Sequence, residues 1–256
     1  MILTIDIGNT NIVLGGFVDG ELTFVSRIAT NARKTDSEYA TKIKSVLALH
    51  GIERAEVKGG IISSVVPPLT RVFFDAVKMV YGVDCLIVGP GIKTGINLLV
   101  DNPGQVGADL ICACVAAYNL YKPPVLIIDM GTATKMIVVD EKAAFRGVSI
   151  IPGVELSLKA LTGNTAQLPQ ISLEAPERVI AKNTVECMKS GVVFGNASLT
   201  DGMIDRITKE LGFEMTIVAT GGLSKTIIPH CNHSITIDND LVLKGLYIMY
   251  QKNTSN

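Results

Sequence analysis

The chain opens Ile2-Leu3-Thr4-Ile5-Asp6-Ile7-Gly8-Asn9-Thr10-Asn11-Ile12-Val13-Leu14-Gly15, an apolar run, an acid, a glycine with small polar residues, then a second apolar run. This reads as strand, tight turn, strand. A carboxylate at the end of a buried strand can hold a hydrated Mg²⁺. A glycine two residues on lets backbone N–H groups approach phosphate oxygens, with hydroxyls beside them. The chemistry such a set supports is phosphate binding.

The pattern returns as Val125-Leu126-Ile127-Ile128-Asp129-Met130-Gly131-Thr132-Ala133-Thr134-Lys135-Met136-Ile137-Val138-Val139, at an offset of 129 − 6 = 123 residues, with Gly131 matching Gly8. Either copy alone is also what an ordinary turn between strands looks like. Repetition in matched context favours the phosphate reading, because two such turns facing each other would clamp one polyphosphate. Asp6 is the candidate for Mg²⁺ held through water, and Gly8, Asn9, Thr10, Asn11 and Thr132 are the candidates for the phosphates.

The elements that position these turns follow from patterning. Ile12–Val18 and Leu22–Ile28 flank Asp19-Gly20, a hairpin signal, giving three antiparallel strands from the start. Asp36-Ser37-Glu38 opens a helix, capped by Thr35 or Asp36, whose Tyr39, Ile43, Val46 and Leu47 recur at helical spacing. A buried strand over 60–66, a helix started by Pro67-Pro68 and a strand over 85–88 come next. Gly107-Ala108-Asp109 leads into an apolar helix to about Tyr121, where Asp109 suits an N-cap. Lys122-Pro123-Pro124 marks a boundary, so the expected domains are 1–122 and 123–256.

The second half repeats the order. Strands from Val125, at Met136–Val139 and near Val148–Ile151 precede a helix carrying Leu156, Leu158 and Leu161. A polar loop over 162–176 is long enough for a lid or a partner contact. Two helices, around 184–195 and 198–211, are expected next, then a strand over 215–219 ending in Thr220-Gly221-Gly222. Those glycines suit close approach of a flat ligand such as a nucleobase, or simply a tight turn. A closing helix over 241–250 precedes frayed final residues.

Composition narrows the function classes. At 256 residues and 48% hydrophobic the chain can bury a sizeable core, and a net charge of −1 argues against nucleic acid or an anionic membrane as partner. The apolar runs at Ile2–Ile5 and Val125–Ile128 are too short to span a bilayer, and Asp6 interrupts any secretory signal, so a cytoplasmic protein is expected. Cys85, Cys112, Cys114, Cys187 and Cys231 form no paired spacing and read as buried reduced thiols. His230-Cys231-Asn232-His233 is a weak metal signal. Gly89-Pro90-Gly91-Ile92-Lys93-Thr94-Gly95 fails as a dinucleotide loop because its third glycine comes one residue late and no helix follows. No G-x-x-x-x-G-K-[ST] occurs, which disfavours a P-loop kinase.

Asp6-Ile7-Gly8-Asn9-Thr10 and Asp129-Met130-Gly131-Thr132-Ala133-Thr134 resemble the two phosphate motifs of the type III pantothenate kinases, members of the acetate kinase/sugar kinase/Hsp70/actin superfamily. Further resemblances at Ile62–Pro67, Asn102-Pro103, Pro152-Gly153, Leu156, 165–169, Thr184, Ser190-Gly191, Gly195 and Thr220-Gly221-Gly222 spread over most of the chain. The resemblance implies an α/β fold of duplicated actin-like (ribonuclease H-like) domains, each with a mixed five-stranded sheet, and a nucleotide cleft between them. It implies a kinase that transfers the γ-phosphoryl of ATP to the primary hydroxyl of pantothenate, with Mg²⁺ beside the ATP, the first step of coenzyme A biosynthesis. ATP would be bound by Asp6, Ile7, Gly8, Asn9, Thr10, Asn11, Ile12, Val13, Thr132, Gly221 and Gly222. Asp109 falls where the family keeps its catalytic base, a role worth about 10²–10⁴-fold in rate. Val100, Gly107, Ala108, Asp109, Leu110 and Thr184 fall at substrate positions. Asp6 and Asp129 fall at metal positions, Asp129 for a monovalent cation, K⁺ or NH₄⁺. A homodimer with the substrate pocket at its interface is also implied.

Four positions depart from the family pattern. Leu110 stands for an arginine, Val100 for a tyrosine, Lys135 for a third threonine and Val148 for a second glycine. Losing a charge-assisted hydrogen bond to the pantothenate carboxylate would cost about 1.5–3 kcal/mol, or about 10–150-fold in affinity. Hence weakened pantothenate binding, a substitute cation such as Lys135, a different acceptor, a nucleotide-binding paralogue without turnover, and a phosphatase or ATPase using water stand beside the kinase reading.

Overall fold

The computed structural model describes residues 1–255. By contacts the chain forms two compact units, Met1–Leu120 with residues 240–255, and Tyr121–Asn239. In chain order the elements up to the first crossing are β1 (Ile2–Ile7), β2 (Asn11–Val18), β3 (Glu21–Ala29), α1 (Asp36–Leu49), β4 (Gly59–Ser64), α2 (Pro67–Tyr81), β5 (Cys85–Ile87), β6 (Asn97–Leu98) and α3 (Ala108–Leu120). Then come β7 (Val125–Met130), β8 (Ala133–Val139), β9 (Ala144–Pro152), α4 (Val154–Gly163), α5 (Thr184–Leu211), β10 (Thr216–Thr220), α6 (Ser224–Ile227), β11 (Thr236–Ile237) and α7 (Leu241–Thr254).

In the first unit the strands run β3-β2-β1-β4-β5, with β1 antiparallel to β2 and parallel to β4. Alternation divides β1 between two layers. Leu3, Ile5 and Ile7 pack with Tyr39 and Ile43 of α1 and Leu69 and Phe73 of α2. The other face of the sheet, with Phe17 and Ile61, packs on Cys112 and Val115 of α3 and Leu243, Leu246 and Met249 of α7. α1 begins with a capping box: the Thr35 hydroxyl accepts from Glu38 N (3.4 Å) while the Glu38 carboxylate accepts from Thr35 N (2.9 Å). α3 is apolar on nearly every side, and residues 112–117 are all buried.

The second unit's strands run β11-β10-β7-β8-β9, with β7 antiparallel to β8 and parallel to β10. This is the order of the first unit repeated, with β7 in the place of β1. Leu126, Ile128 and Met130 pack with Val193, Ala197 and Ile204 of α5, which leaves Asp129 on the other face of the strand.

Three expectations change. The second domain was expected to run over 123–256, yet α7 belongs to the first unit, because Gly245 lets it press onto α3. A Cβ at Gly245 would come within 1.9 Å of the Cys112 carbonyl oxygen. The two helices expected over 184–211 are one helix of 28 residues. Its middle stays wound because Val193, Ala197 and Ile204 keep one buried face, while the Asn196 amide and Thr200 hydroxyl donate to the carbonyls of Val192 (2.7 Å) and Asn196 (2.8 Å). The closing helix also runs past Tyr250 to Thr254, where the Asn253 amide donates to the Met249 carbonyl (2.8 Å) and to the Lys93 carbonyl (3.0 Å).

Candidate functional site

Asp6 is the penultimate residue of β1, half-buried, with Val13 of β2 on one side and Ser63 of β4 on the other in register. Gly8 N–H donates to the Asn11 carbonyl (3.0 Å), and the Thr30 hydroxyl donates to the Gly8 carbonyl (2.7 Å). The turn so fixed exposes Asn9, Thr10 and Asn11. Ile7 and Ile12 are buried in the core, so of the expected ATP-binding stretch they anchor the turn, and Val13 is half-buried across from Asp6.

Asp109 lies in the first turn of α3 rather than at its cap, since the helix begins at Ala108. Its Oδ1 accepts from Leu110 N (2.9 Å) and folds back over Gly107, where a Cβ would stand 2.5 Å from that oxygen. Glycine at 107 therefore makes room for the carboxylate, and the helix N-terminus favours its negative charge. Gly107 and Ala108 are half-buried, and so is Val100. Leu110 is buried, with 8% exposed. Asp6 and Asp109 converge on one buried group: burial, then the charge of Asp6, push the Cys112 thiol well above its ordinary range, Ser63 pulls it back by a hydrogen bond, and Asp109 adds to the rise.

The second turn is one residue shorter. β7 ends at Met130 and β8 begins at Ala133, so only Gly131 and Thr132, both exposed, lie between strands. Gly131 N–H donates to the Ala133 carbonyl (3.2 Å). The register then sets Asp129 directly opposite Lys135, and Lys135 Nζ lies 3.0 Å from Asp129 Oδ2 with each side chain 20% exposed. On the parallel side Asp129 neighbours Thr220 of β10, as Asp6 neighbours Ser63. After Thr220 the chain turns at Gly221, whose φ of +94° and 2.5 Å approach of a would-be Cβ to the Met130 carbonyl oxygen both demand glycine. Gly222 is exposed.

Thr184 stands apart from the turns in the chain and opens α5, capped by Asn183, whose side chain accepts from Glu186 N (3.0 Å). It lines a cavity of about 550 Å³ with Leu158 and Leu161 of α4, Leu168, Cys187 and Met188. The irregular segment between α4 and α5 is tied to α5 by Lys189 to Glu174 (3.4 Å) and by the Ser190 hydroxyl, which donates to the Val179 carbonyl. Sequence reasoning missed Leu168 and Cys187 as lining. Of the cysteines expected to be buried, Cys187 is exposed and Cys231 half-exposed.

Mg²⁺ keeps most of its water and binds through one or two carboxylates plus substrate phosphates. Asp6, beside an exposed polar turn, fits that pattern. Asp129 does not fit a K⁺ or NH₄⁺, because a lysine ammonium already engages its carboxylate. His230 packs edge-on against Phe194 (5.3 Å between centroids) and His233 Nε2 pairs with Asp205 (3.0 Å). Among the described residues no group of three or more His, Cys, Asp or Glu is arranged to hold a metal ion.

The sequence pattern of the type III pantothenate kinases matches residues 2–206. The chain belongs to that family. It is accordingly a phosphotransferase of the kinase class. Similar solved structures cover its whole length at low identity. A protein named as a Baf family transcriptional activator from Campylobacter jejuni has a TM-score of 0.61 at 18% identity, over 99% of this chain and 100% of that one. One named as a 2-dehydro-3-deoxygalactonokinase from Sinorhizobium meliloti has 0.59 at 13%, over 100% and 98%. The activator of the 2-hydroxyisocaproyl-CoA dehydratase from Clostridium difficile, solved with bound ADPNP, has 0.52 at 13%, over 100% and 98%. At these identities the likeness speaks for the fold, duplicated actin-like α/β, which the two matching strand orders already spell out. No helix among the described residues is long and apolar enough to cross a membrane.

Proposed function

We propose that this family member transfers the γ-phosphoryl group of ATP to the primary hydroxyl of pantothenate, in the cytoplasm, as the first step of coenzyme A biosynthesis. The observation that carries the reading is the twice-built arrangement of an acid near a strand end, a glycine turn, and a hydroxyl on the neighbouring parallel strand, at Asp6 with Ser63 and at Asp129 with Thr220. Backbone N–H groups and side chains of Gly8, Asn9, Thr10, Asn11 and Thr132 are the phosphate contacts in this reading, and Gly221-Gly222 contacts the nucleotide. Asp6 holds the Mg²⁺ that accompanies ATP and neutralises charge on the phosphates. Asp109 accepts the proton of the acceptor hydroxyl as the hydroxyl oxygen attacks the γ-phosphorus, the bond from that phosphorus to the β,γ-bridging oxygen breaks, and ADP leaves.

A homodimer is part of the proposal. Its support is apolar surface on the second unit, where Leu156, Leu161, Val179 and Ile180 are exposed, the last at 86%. Such a surface suits a partner, and light scattering giving a monomer at working concentration would remove the dimer.

Phosphorus NMR of the full chain with ATP and Mg²⁺, with and without pantothenate, tests the activity. A phosphomonoester signal that requires pantothenate is the expected result. Asp109→Asn should lower kcat by about 10²–10⁴-fold while nucleotide still binds, and full turnover in that variant would remove Asp109 from its role. One observation favours a second reading. Leu110 is apolar and buried where the family places an arginine, which suits an acceptor with no carboxylate there. ATP consumption unaffected by pantothenate but dependent on another alcohol would select it; loss in buffer alone would select a hydrolase.

A further inference from the structure

Residues directly opposite in an antiparallel pair share one face, and the β7–β8 register holds Lys135 against Asp129 along its whole length. The ammonium is therefore delivered by the backbone and reaches the carboxylate at 3.0 Å, with both side chains only 20% exposed. A second monovalent cation on the same carboxylate would be repelled by the first, and the repulsion is screened little where exposure is this low.

We propose that Lys135 is the built-in counter-charge of the second phosphate turn, so that nucleotide binds at this turn without any added K⁺ or NH₄⁺. The inference rests on the proposed nucleotide role of the turn. An ammonium tethered by its own strand carries the single positive charge that a free monovalent ion would supply. Unlike a free ion, it is present at every salt composition. Removing it would take a positive charge away from a half-buried carboxylate, where an ion from solution could then take its place.

Titration calorimetry of the full chain with Mg²⁺ and ADPNP, in KCl, NaCl and choline chloride at equal ionic strength, tests this without requiring turnover. The expected result is a Kd that agrees among the three salts to within about twofold. A Kd at least about tenfold tighter in KCl alone would overturn the inference while leaving the nucleotide reading intact. No binding in any salt would bring down the nucleotide reading and this inference with it. Lys135→Thr, checked for folding by circular dichroism, should weaken binding in choline by at least about fivefold and regain it in KCl or NH₄Cl. Loss that neither salt restores would mean that the ammonium acts only structurally, and would overturn the proposal. Lys135→Arg should keep the salt independence, which provides a second variant if threonine is not tolerated in β8.

Discussion

The two Asp-x-Gly turns are built on one plan and differ in what faces the acid. Asp6 looks across the ladder at Val13, an aliphatic side chain with no charge to offer; Asp129 looks at Lys135 and is ion-paired with it at 3.0 Å. The cause is loop length. Three residues, Gly8 to Thr10, separate β1 from β2, whereas two, Gly131 and Thr132, separate β7 from β8. One residue fewer slides the second strand by one position, and a slide of one changes which side chain meets the acid. A single plan has thus set an aliphatic side chain across from one acid and an ammonium across from the other.

The largest effect expected from breaking this asymmetry is at Asp6. Asp6→Asn removes the carboxylate proposed for Mg²⁺, and loss of a metal contact worth several kcal/mol should lower turnover by about 10²–10³-fold. The matched Asp129→Asn should cost far less turnover and appear instead as stability. Steady-state kinetics and thermal melts of the two variants side by side make the check, and equal kinetic losses would erase the distinction between the turns.

Next in size is the geometry behind the second acid. Gly221→Ala combines a φ of +94° with a Cβ 2.5 Å from the Met130 carbonyl oxygen, backbone that has no flexible end to give. A destabilisation of about 2–3 kcal/mol is expected, read by urea unfolding. Tolerance of alanine there would mean that the Thr220–Gly222 turn does not press on β7.

Smaller again is the ion pair itself. A double-mutant cycle of Asp129→Asn and Lys135→Met should return a coupling of about 1–2 kcal/mol, above the range of exposed pairs and below that of fully buried ones. The converse experiment sharpens the comparison: Val13→Lys sets an ammonium opposite Asp6 and should raise the Mg²⁺ concentration needed for half-maximal activity by about tenfold. An unchanged Mg²⁺ requirement would show that the residue across the ladder does not tune its acid.

Much of this was legible in the amino-acid order, and the failures have physical causes. The turns are written in short-range chemistry, Asp-x-Gly between apolar runs, and the Thr35–Glu38 capping box is as local. Both follow from neighbours a few residues apart. Lys135 could be read as a departure but not as the partner of Asp129, because register depends on where each strand ends, and the offset of 123 that aligns the two copies hides the missing loop residue. The break expected between helices at 184–195 and 198–211 does not form: Gly195 and Asn196 have weak helix propensity, and the buried face of α5 overrides it. The return of α7 to the first unit, through the close approach at Gly245, depends on contacts between residues more than a hundred positions apart. Nothing local signals it.

The smallest effect concerns a reporter that only the first turn possesses. Cys112 is completely buried, and its thiol is held well above the ordinary range by burial first and then by the charge of Asp6, with Asp109 adding to it. The attacking species in alkylation is the thiolate, so at a given pH a raised thiol pKa means fewer reactive molecules at each opening of the structure. Exposed Cys187 should therefore alkylate first in the native protein. Asp6→Asn removes one of the two carboxylates acting on Cys112, which moves the thiol downward and raises its native-state labelling rate, by a few-fold given that burial is the larger cause. Asp129 is not among the groups that act on this thiol, so Asp129→Asn should leave the rate where it was. Peptide mass mapping after timed iodoacetamide exposure separates the sites. Acceleration at Cys112 in both variants would mean that general loosening governs access, and that the first acid has no electrostatic hold on α3.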